Sequence, residues 1–367
     1  MSLVSAAAFA AYDGRCSSFV EVNFMVLSLH SNYTALVTPF SGGLIDWDRL
    51  DQLAAFQVQN GCGLLANGTT AETPALSADE QHGILDRVLH ADGNAIAGTG
   101  GNHTDAVLAK TAHAVDAGAR ACLLVDAYYN GPSSHELRTE YHAPVASAFP
   151  ETAFIPYVIP GRTGCELSVE DLALLTEQCS NVVAVKEATG NVDRMVRTRR
   201  LLPHLSIYSG DDDLTFSLMT HSDIRAQGVI SVMSNLVPIG VRDLVHAVHR
   251  GDLQRAQGLN AALQHLFGMV VVKTSEATRF GPVTQKWRNP LPVKTAMAGL
   301  GLIDVQCRRP LGRMSASGVA AVQSGVQRAY DAAPELFDPL QSFFGIDVQD
   351  RLAQPWRESA SARMALA

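Results

Sequence analysis

The chain has 367 residues, of which 47% are hydrophobic and 17% are charged, as is typical of a globular protein with a large apolar core. Its formal net charge is -8, and it has no concentrated basic segment for a phosphate backbone, so we expect no nucleic-acid partner. The six cysteines form no C-x-x-C pair, which predicts reduced thiols and a cytoplasmic location. No apolar run is close to the about 18 residues that a membrane span needs, so we predict no membrane partner.

Short apolar or β-branched runs that stop at turn residues recur along the chain and predict β-strands. Their C-terminal ends lie roughly 22 to 32 residues apart, which is the length of a strand, a loop, a helix of three or four turns and a second loop. The predicted strands are Tyr33–Val37, Gly63–Ala66, Ala95–Gly98, Ala121–Val125, Ala153–Tyr157, Val182–Lys186, Leu205–Ser209 and Gly228–Val232.

The intervals between these strands have helical patterns. Ser77 is followed three residues later by Glu80, the capping-box pattern of a helix start, and Ser168 begins a similar segment. The segment Thr104–Ala117 is predicted to be a helix that ends at Gly118, since glycine is the preferred residue just beyond a helix C-terminus.

Eight βα units in series, with strands that are apolar throughout, predict a parallel sheet covered by helices. An open doubly wound sheet is the main alternative, but the even spacing without a switch point favours a closed (β/α)8 TIM barrel. We assign residues 32–263 to the catalytic barrel and residues 1–31 to an N-terminal extension.

The segment that follows the barrel is predicted to be an all-helical C-terminal region, residues 264–330. Helical patterns occur in Leu253–Phe267, Val293–Leu300 and Ser315–Ala333. Residues 331–367 form a C-terminal extension, and its aromatic residues are expected to anchor it on the body of the protein: Phe337, Phe343, Phe344 and Trp356.

In a barrel of this kind the residues at the C-terminal strand ends form the active-site face. Lys186 is the only lysine at these ends, and it follows the apolar run Val182–Val185. Burial there would lower its pKa and leave a nucleophilic amine that can form a Schiff base with a carbonyl compound. A structural ion pair with Glu187 or Asp211 is the alternative.

Hydroxyl groups are the second feature of the strand ends, which carry Thr69, Thr70, Tyr128, Tyr129 and Tyr157. A Schiff-base enzyme needs a proton relay that is uncharged at neutral pH, and hydrogen-bonded phenols and hydroxyls supply one. The alternative is that the tyrosines only line the rim of the barrel, because their amphipathic rings suit that position.

Arg162 follows a proline and a glycine at a strand end, where a guanidinium could hold a substrate carboxylate bidentately. The run from Gly98 to Gly100 lacks the Lys-Ser/Thr of a phosphate loop, so we predict no nucleotide cofactor. The twelve histidines include no H-E-x-x-H pair, so no metal is predicted either.

Six linked motifs now identify a family. They occur in order, and over about Tyr33 to Tyr330 the chain resembles the dihydrodipicolinate synthase and N-acetylneuraminate lyase family. It is more similar to the synthases of that family than to the lyases. A run from Asn289 to Lys294 is similar to the C-terminal segment of that family. The motifs begin at Gly68 (G-T-T-x-E), Tyr128 (Y-Y-N-x-P-S), Tyr157 (Y-x-x-P-G-R-T-G), Lys186 (K-E-A-T-G-N), Ser209 (S-G-D-D) and Gly228 (G-V-I-S-V).

The resemblance implies that Lys186 condenses with pyruvate as a covalent imine and that no separate cofactor is used. Tyr157, Thr69 and Tyr129 would form the proton relay. Tyr129 would reach the neighbouring subunit's site across a dimer interface, within a homotetramer.

The resemblance also implies the binding roles. Thr69 and Thr70 would hold the pyruvate carboxylate, Arg162 would hold the carboxylate of the second substrate, and the carbonyl of Ile230 would lie near the Schiff-base centre. In the synthases that substrate is L-aspartate 4-semialdehyde, and the product is 4-hydroxy-tetrahydrodipicolinate, an intermediate of lysine biosynthesis.

Two departures from the family pattern bear on the second substrate. Val158 stands where these enzymes often have Asn, and Ala71 replaces the usual second glycine of G-T-T-G-E. The alternative function is a pyruvate-dependent aldolase or dehydratase of a 2-keto-3-deoxy sugar acid, although Arg162 favours the synthase. An inactive scaffold is a third possibility, but it would be expected to have lost Lys186 or Tyr157.

The resemblance further implies that lysine-sensitive synthases bind lysine at the dimer interface through a carboxylate on the helix after the third strand. That position falls on Ala106, next to Asp105, and the histidine positions of the sensitive pattern read Ala78 and Gln81. Loss of a charge-assisted hydrogen bond to an ammonium group predicts weak inhibition by lysine.

Overall fold

A computed structural model describes residues 29–356, and eight parallel strands there close into a barrel. Each predicted strand is confirmed to within two residues at either end, and so is the TIM-barrel fold. The barrel strands are β1 (Asn32–Ala35), β4 (Gly63–Ala66), β5 (Ile96–Gly98), β6 (Ala121–Val125), β7 (Ala153–Val158), β8 (Ala184–Glu187), β9 (Ser206–Ser209) and β10 (Gly228–Ser231). A short hairpin of β2 (Phe40–Ser41) and β3 (Leu44–Ile45) follows the first strand.

The helices begin and end where the capping residues predict. The Ser77 hydroxyl accepts from the Glu80 N–H while the Glu80 carboxylate accepts from the Ser77 N–H, so the capping box is confirmed. Gly118, just beyond the predicted helix of the third unit, has φ +97°, a left-handed conformation that glycine adopts without steric cost.

The helices of the barrel region surround the strands. They are α1 (Trp47–Gln59), α2 (Ala78–Ala91), α3 (Thr104–Asp116), α4 (Ser134–Glu136), α5 (Ala143–Ala148), α6 (Pro160–Thr163), α7 (Val169–Gln178), α8 (Val192–Leu201), α9 (Thr215–Thr220) and α10 (Pro238–His249). A π-helical turn at Leu137–His142 joins α4 to α5.

Two apolar clusters lie on the two sides of the barrel wall. One fills the interior, and the other packs the strands against the helices. Successive side chains of a strand point to opposite faces, so Tyr157 belongs to the interior cluster and Val158 to the outer one. The interior cluster consists of Tyr33, Ala35, Leu65, Ile96, Ala121, Leu123, Ala153, Ile155, Tyr157, Ala184, Tyr208 and Ile230.

The C-terminal region contains α11 (Leu253–Phe267), α12 (Leu291–Gly299) and α13 (Ala316–Ala332), which confirms the three predicted helices. The boundary placed between residues 263 and 264 lies inside α11. The all-helical description was wrong for the segment between α11 and α12, which forms an antiparallel hairpin of β11 (Val271–Thr278) and β12 (Gly281–Arg288). Four of the eight residues of β11 are Val or Thr, a composition that favours a strand over a helix.

The C-terminal extension packs on the body through aromatic residues, as predicted. It adds α14 (Asp338–Phe344) and α15 (Val348–Ala353). The rings of Phe343 and Phe344 each lie 5.2 Å from that of Phe56 on α1. A Cβ at Gly299 would overlap the Trp356 ring, so this glycine permits the close approach of the indole to α12.

The predicted extension of residues 1–31 lies outside the described residues up to residue 28, as do residues 357–367 of the C-terminal extension. In the described part, Cys62, Cys122, Cys165, Cys179 and Cys307 form no disulfide. No helix between residues 29 and 356 is long and apolar enough to cross a membrane.

Candidate active site

Lys186 lies at the C-terminal end of β8, where the apolar strand buries its side chain to 5% exposure. Burial lowers the pKa of Lys186 from 10.5 to about 8, although the nearby carboxylates of Asp212 and Asp211 act to raise it. Glu187 points to the other face and pairs with Arg194, whose Nε lies 3.0 Å from its Oε1. Between residues 29 and 356 no carboxylate forms an ion pair with Lys186, which favours the nucleophilic interpretation over a structural ion pair.

Tyr157 lies beside Lys186 on the neighbouring strand, since the two residues are register partners of β7 and β8. The Lys186 Nζ lies 4.3 Å from the centroid of the Tyr157 ring. Burial raises the pKa of Tyr157 to about 12, and a hydrogen bond with the Thr69 side chain partly opposes that shift. The phenol therefore stays protonated at neutral pH and can exchange its proton with a hydroxyl neighbour.

Thr69 and Thr70 lie in a short 3-10 turn that follows β4. The Thr70 hydroxyl accepts a hydrogen bond from Asn289 Nδ2 at 3.0 Å, and Arg162 Nη2 donates to the Asn289 carbonyl at 2.7 Å. Asn289 therefore links the threonine turn to the Arg162 turn. Asn289 was not among the predicted site residues, although it begins the C-terminal motif.

These side chains surround a cavity of about 190 Å³ at the C-terminal end of the barrel. Thr69, Thr70, Tyr157, Arg162 and Lys186 all line it. An adjoining cavity of about 320 Å³ shares Thr69, Tyr157 and Arg162 as its wall, and Tyr128 also lines it. Five of the seven predicted site residues therefore meet at one place, which suits carbonyl chemistry at a neutral amine.

Asp212 is a buried carboxylate that the sequence analysis did not assign to the site. Its Oδ2 accepts from the N–H groups of Val232 at 3.0 Å and Met233 at 3.2 Å, after β10. Burial raises the pKa of Asp212 to about 6. In the sequence, the position of Asp212 in the Ser-Gly-Asp-Asp motif at a predicted strand end was the feature that could have indicated it.

Comparison with known proteins decides the family. A family model described as the Dihydrodipicolinate synthetase family matches residues 28–329. The chain belongs to this family.

Individual members of the dihydrodipicolinate synthetase family match over most of their length. A 4-hydroxy-tetrahydrodipicolinate synthase of Aquifex aeolicus (strain VF5) is 39% identical over 286 residues, 77% of this chain and 91% of that protein. A crystal structure of dihydrodipicolinate synthase from Aquifex aeolicus has a TM-score of 0.75 at 35% identity and covers 83% of this chain and 99% of its own. A monomeric dihydrodipicolinate synthase variant has a TM-score of 0.73 at 30% identity, covering 82% of this chain and 96% of its own.

Two of the residues expected from the dihydrodipicolinate synthetase family do not line the cavity in this chain. Tyr129 is 90% exposed, with φ +84°. Ile230 is buried in the barrel interior on β10, opposite Tyr33 of β1. Their predicted roles, in a neighbour's relay and near the Schiff-base centre, stay predictions.

The two departures from the motifs of the dihydrodipicolinate synthetase family do not line the cavity. Val158 is buried in the outer apolar cluster between strands and helices, and Ala71 is buried in the threonine turn. Neither residue lines the cavity around Lys186. Their side chains therefore do not contact a substrate placed there. Ala71 is not among the positive-φ residues, so its backbone does not require glycine.

The Glu of the G-T-T-x-E motif has a structural partner in the C-terminal motif. Glu72 Oε1 lies 2.7 Å from Lys294 Nζ, and both side chains are 1% exposed. Lys294 also donates to the Thr38 carbonyl at 2.9 Å, and Glu72 Oε2 accepts from the Arg308 N–H at 2.8 Å. This buried pair connects the threonine turn to α12. Between residues 29 and 356, no group of three or more His, Cys, Asp or Glu side chains is arranged to hold a metal ion.

Proposed function

We propose that the protein is a 4-hydroxy-tetrahydrodipicolinate synthase, which condenses pyruvate with L-aspartate 4-semialdehyde. The observation that carries this proposal is the buried amine of Lys186, with a pKa of about 8, beside the Tyr157 ring in the cavity. The names of the relatives that match most of the chain support the same substrates.

In the first step the neutral Lys186 amine attacks the C2 carbonyl of pyruvate. Loss of water leaves a covalent imine, and removal of a proton from C3 gives the enamine. Tyr157 lies next to the amine and is hydrogen-bonded to Thr69. We assign Tyr157 to the proton transfers to and from the reacting atoms, with Thr69 as the next member of the relay.

The enamine carbon then attacks the aldehyde carbon of the second substrate. The amino group of that substrate next attacks C2 of the imine, which releases Lys186 as the free amine and closes the six-membered ring. No redox change occurs, and the proton taken from C3 is balanced by the proton received at the new hydroxyl. The chemistry therefore requires only a nucleophilic amine and a proton relay.

The carboxylates are assigned to two places in the cavity. Thr69 and Thr70 are the first two residues of the 3-10 turn, where N–H groups have no acceptor within the turn, so they can bind the pyruvate carboxylate close to Lys186. Arg162 uses one nitrogen on the Asn289 carbonyl, and its remaining N–H groups can hold the carboxylate of the second substrate.

Tyr129 is assigned to the relay of a neighbouring subunit, so the minimal active unit would be a dimer within a tetramer of D2 symmetry. The support is that its ring is almost fully exposed in a single chain while its backbone has a positive φ, a conformation that costs energy in a bulky residue.

Reductive trapping tests the imine. Borohydride treatment in the presence of pyruvate should add one pyruvyl group to the peptide that contains Lys186. The buried Lys294 is the internal control, because it is held by Glu72 and lies outside the cavity around Lys186. Labelling on another lysine, or none on Lys186, would refute the assignment. A panel of aldehydes should give a cyclised product with L-aspartate 4-semialdehyde, and turnover of sugar-acid substrates alone would refute the synthase function.

Subunit mixing tests the shared relay. Tyr129→Phe and Lys186→Ala subunits, each inactive alone, should recover part of the activity when mixed, because a mixed dimer contains one intact site. No recovery from folded, associated subunits would show that each subunit is self-sufficient.

A further inference from the structure

The β11–β12 hairpin has two different faces. On one face Val272 is buried and Trp287 is partly buried against the apolar core. Glu276 on the same face accepts hydrogen bonds from the hydroxyls of Ser315 and Ser317 at the start of α13. This face holds the hairpin on the C-terminal helices.

The opposite face of the hairpin is cationic. Lys273 and Lys286 are register partners across the two strands, and Arg288 follows Lys286 by two residues on the same face. Like charges directly opposite each other destabilise a strand pair. Between residues 29 and 356, none of the three forms an ion pair with a carboxylate, so the protein itself does not neutralise this face.

The base of this cationic face lies at the candidate active site. Lys286 and Arg288 line the same cavity as Lys186 and Arg162. Arg288 Nη1 donates to the Gly161 carbonyl at 2.9 Å, so the hairpin contacts the turn that carries Arg162. Lys273 does not line this cavity, although it lies directly across the hairpin from Lys286.

The charge balance of the cavity favours an anionic ligand. Four cationic residues line it, and Asp211 is the single carboxylate among its described lining residues. Lys186 lies deepest, at the end of a barrel strand, whereas Lys286 and Arg288 are exposed. An anion that enters after pyruvate is bound therefore meets the hairpin cations before it reaches the amine.

We propose that Lys286 and Arg288 form a carboxylate-recognition site for the second substrate at the mouth of the cavity, in addition to Arg162. This inference rests on the proposed function, because it assigns these residues to the aldehyde substrate of that reaction. Arg288 has a second role as a positioning residue, since its bond to Gly161 supports the turn that presents Arg162.

The test compares Lys286→Gln with Lys273→Gln, which removes the same charge from the same face outside the cavity. In Lys286→Gln we expect KM for L-aspartate 4-semialdehyde to rise about 5- to 10-fold with kcat nearly unchanged, since a charge at a partly exposed mouth supports binding equally in the ground and transition states. The KM for pyruvate should stay unchanged. Lys273→Gln should behave as the wild type, and Lys286→Arg should restore binding because it keeps the charge.

Arg288→Lys separates the positioning role from charge. It retains the positive charge but not the fork that bonds to Gly161, so we expect a higher aldehyde KM than in Lys286→Arg. Equal effects of Lys286→Gln and Lys273→Gln, or an unchanged aldehyde KM in Lys286→Gln, would overturn the inference. Imine trapping at Lys186 should be normal in every variant. Its absence in the wild-type protein would instead refute the proposed function, so the two failures are distinguishable.

Discussion

A change of pH should control imine formation at Lys186 in a way that an exposed lysine would not show. Burial lowers the pKa of this amine from 10.5 to about 8, and only the neutral amine attacks a carbonyl. The rate of imine formation with pyruvate should therefore rise with pH and level off above a midpoint near pH 8.

The size of the effect follows from the two pKa values. At pH 7 about one amine in ten is neutral when the pKa is 8, and about one in 3,000 when it is 10.5. Burial on β8 thus increases the reactive fraction about 300-fold at neutral pH. This gain is what the apolar strand before Lys186 contributes to the reaction.

A variant of Asp212 tests the carboxylate that opposes the effect of burial on the pKa of Lys186. Asp212 raises the pKa of Lys186, so Asp212→Asn should move the midpoint to lower pH, because a neutral amide no longer stabilises the ammonium. Asn can still accept a hydrogen bond from the N–H groups after β10. Asp213→Asn is the matched control, since Asp213 is exposed and does not influence Lys186.

The measurement is rapid-mixing of enzyme with pyruvate between pH 6 and 10, reductive trapping at short times, and quantification of the Lys186 peptide by mass spectrometry. A midpoint near pH 10 would show an ordinary lysine and refute the argument from burial. Identical midpoints in the Asp212 and Asp213 variants would refute the influence of Asp212.

Three further predictions concern stability and regulation. Lys186→Met should raise the thermal midpoint by about 4 °C at pH 7. The pKa of Lys186 is lower in the folded state than in the unfolded state, so below pH 8 this lysine reduces the free energy of unfolding by about 3 kcal/mol. That difference should shrink as the pH rises from 8 to 10.5, and melting curves without a gain at pH 7 would contradict it. Lys294→Met should cost about 3–5 kcal/mol, because it leaves the buried Glu72 carboxylate without its cation; adding Glu72→Gln should recover part of the loss in denaturant titrations. Lysine should inhibit weakly in steady-state assays, since Ala106 offers no carboxylate, and half-inhibition at submillimolar lysine would contradict this and implicate the exposed Asp105 on α3.

The features that local sequence determines were predicted correctly. A helix start depends on a residue and its neighbour three positions later, as with Ser77 and Glu80. A buried parallel strand needs only a short apolar run, and Lys186 could be placed at a strand end because its run stops there. Motif residues at successive strand ends meet at one face, since the barrel topology brings all those ends together.

The β11–β12 hairpin was not predicted from the local sequence. Val271–Thr278 is rich in β-branched residues, which favour a strand, but the hairpin lies between predicted helices, and its cationic residues indicated no site. Lys286 and Arg288 line the cavity because the opposite face of the hairpin packs on the C-terminal region. That placement depends on the contacts of Glu276 with the start of α13 and of Arg288 with Gly161, which the local sequence does not reveal.

Only the tertiary structure decided which distant groups complete the candidate site. Asn289 bonds to Thr70 across 219 residues of chain, and Lys294 pairs with Glu72 across 222. No periodic pattern in the sequence indicates such pairs. The partners are far apart along the chain and come together only when the C-terminal helices pack on the barrel. The sequence by itself determined the barrel and the position of Lys186 at a strand end, whereas packing determined the groups that hold the surrounding turns in place.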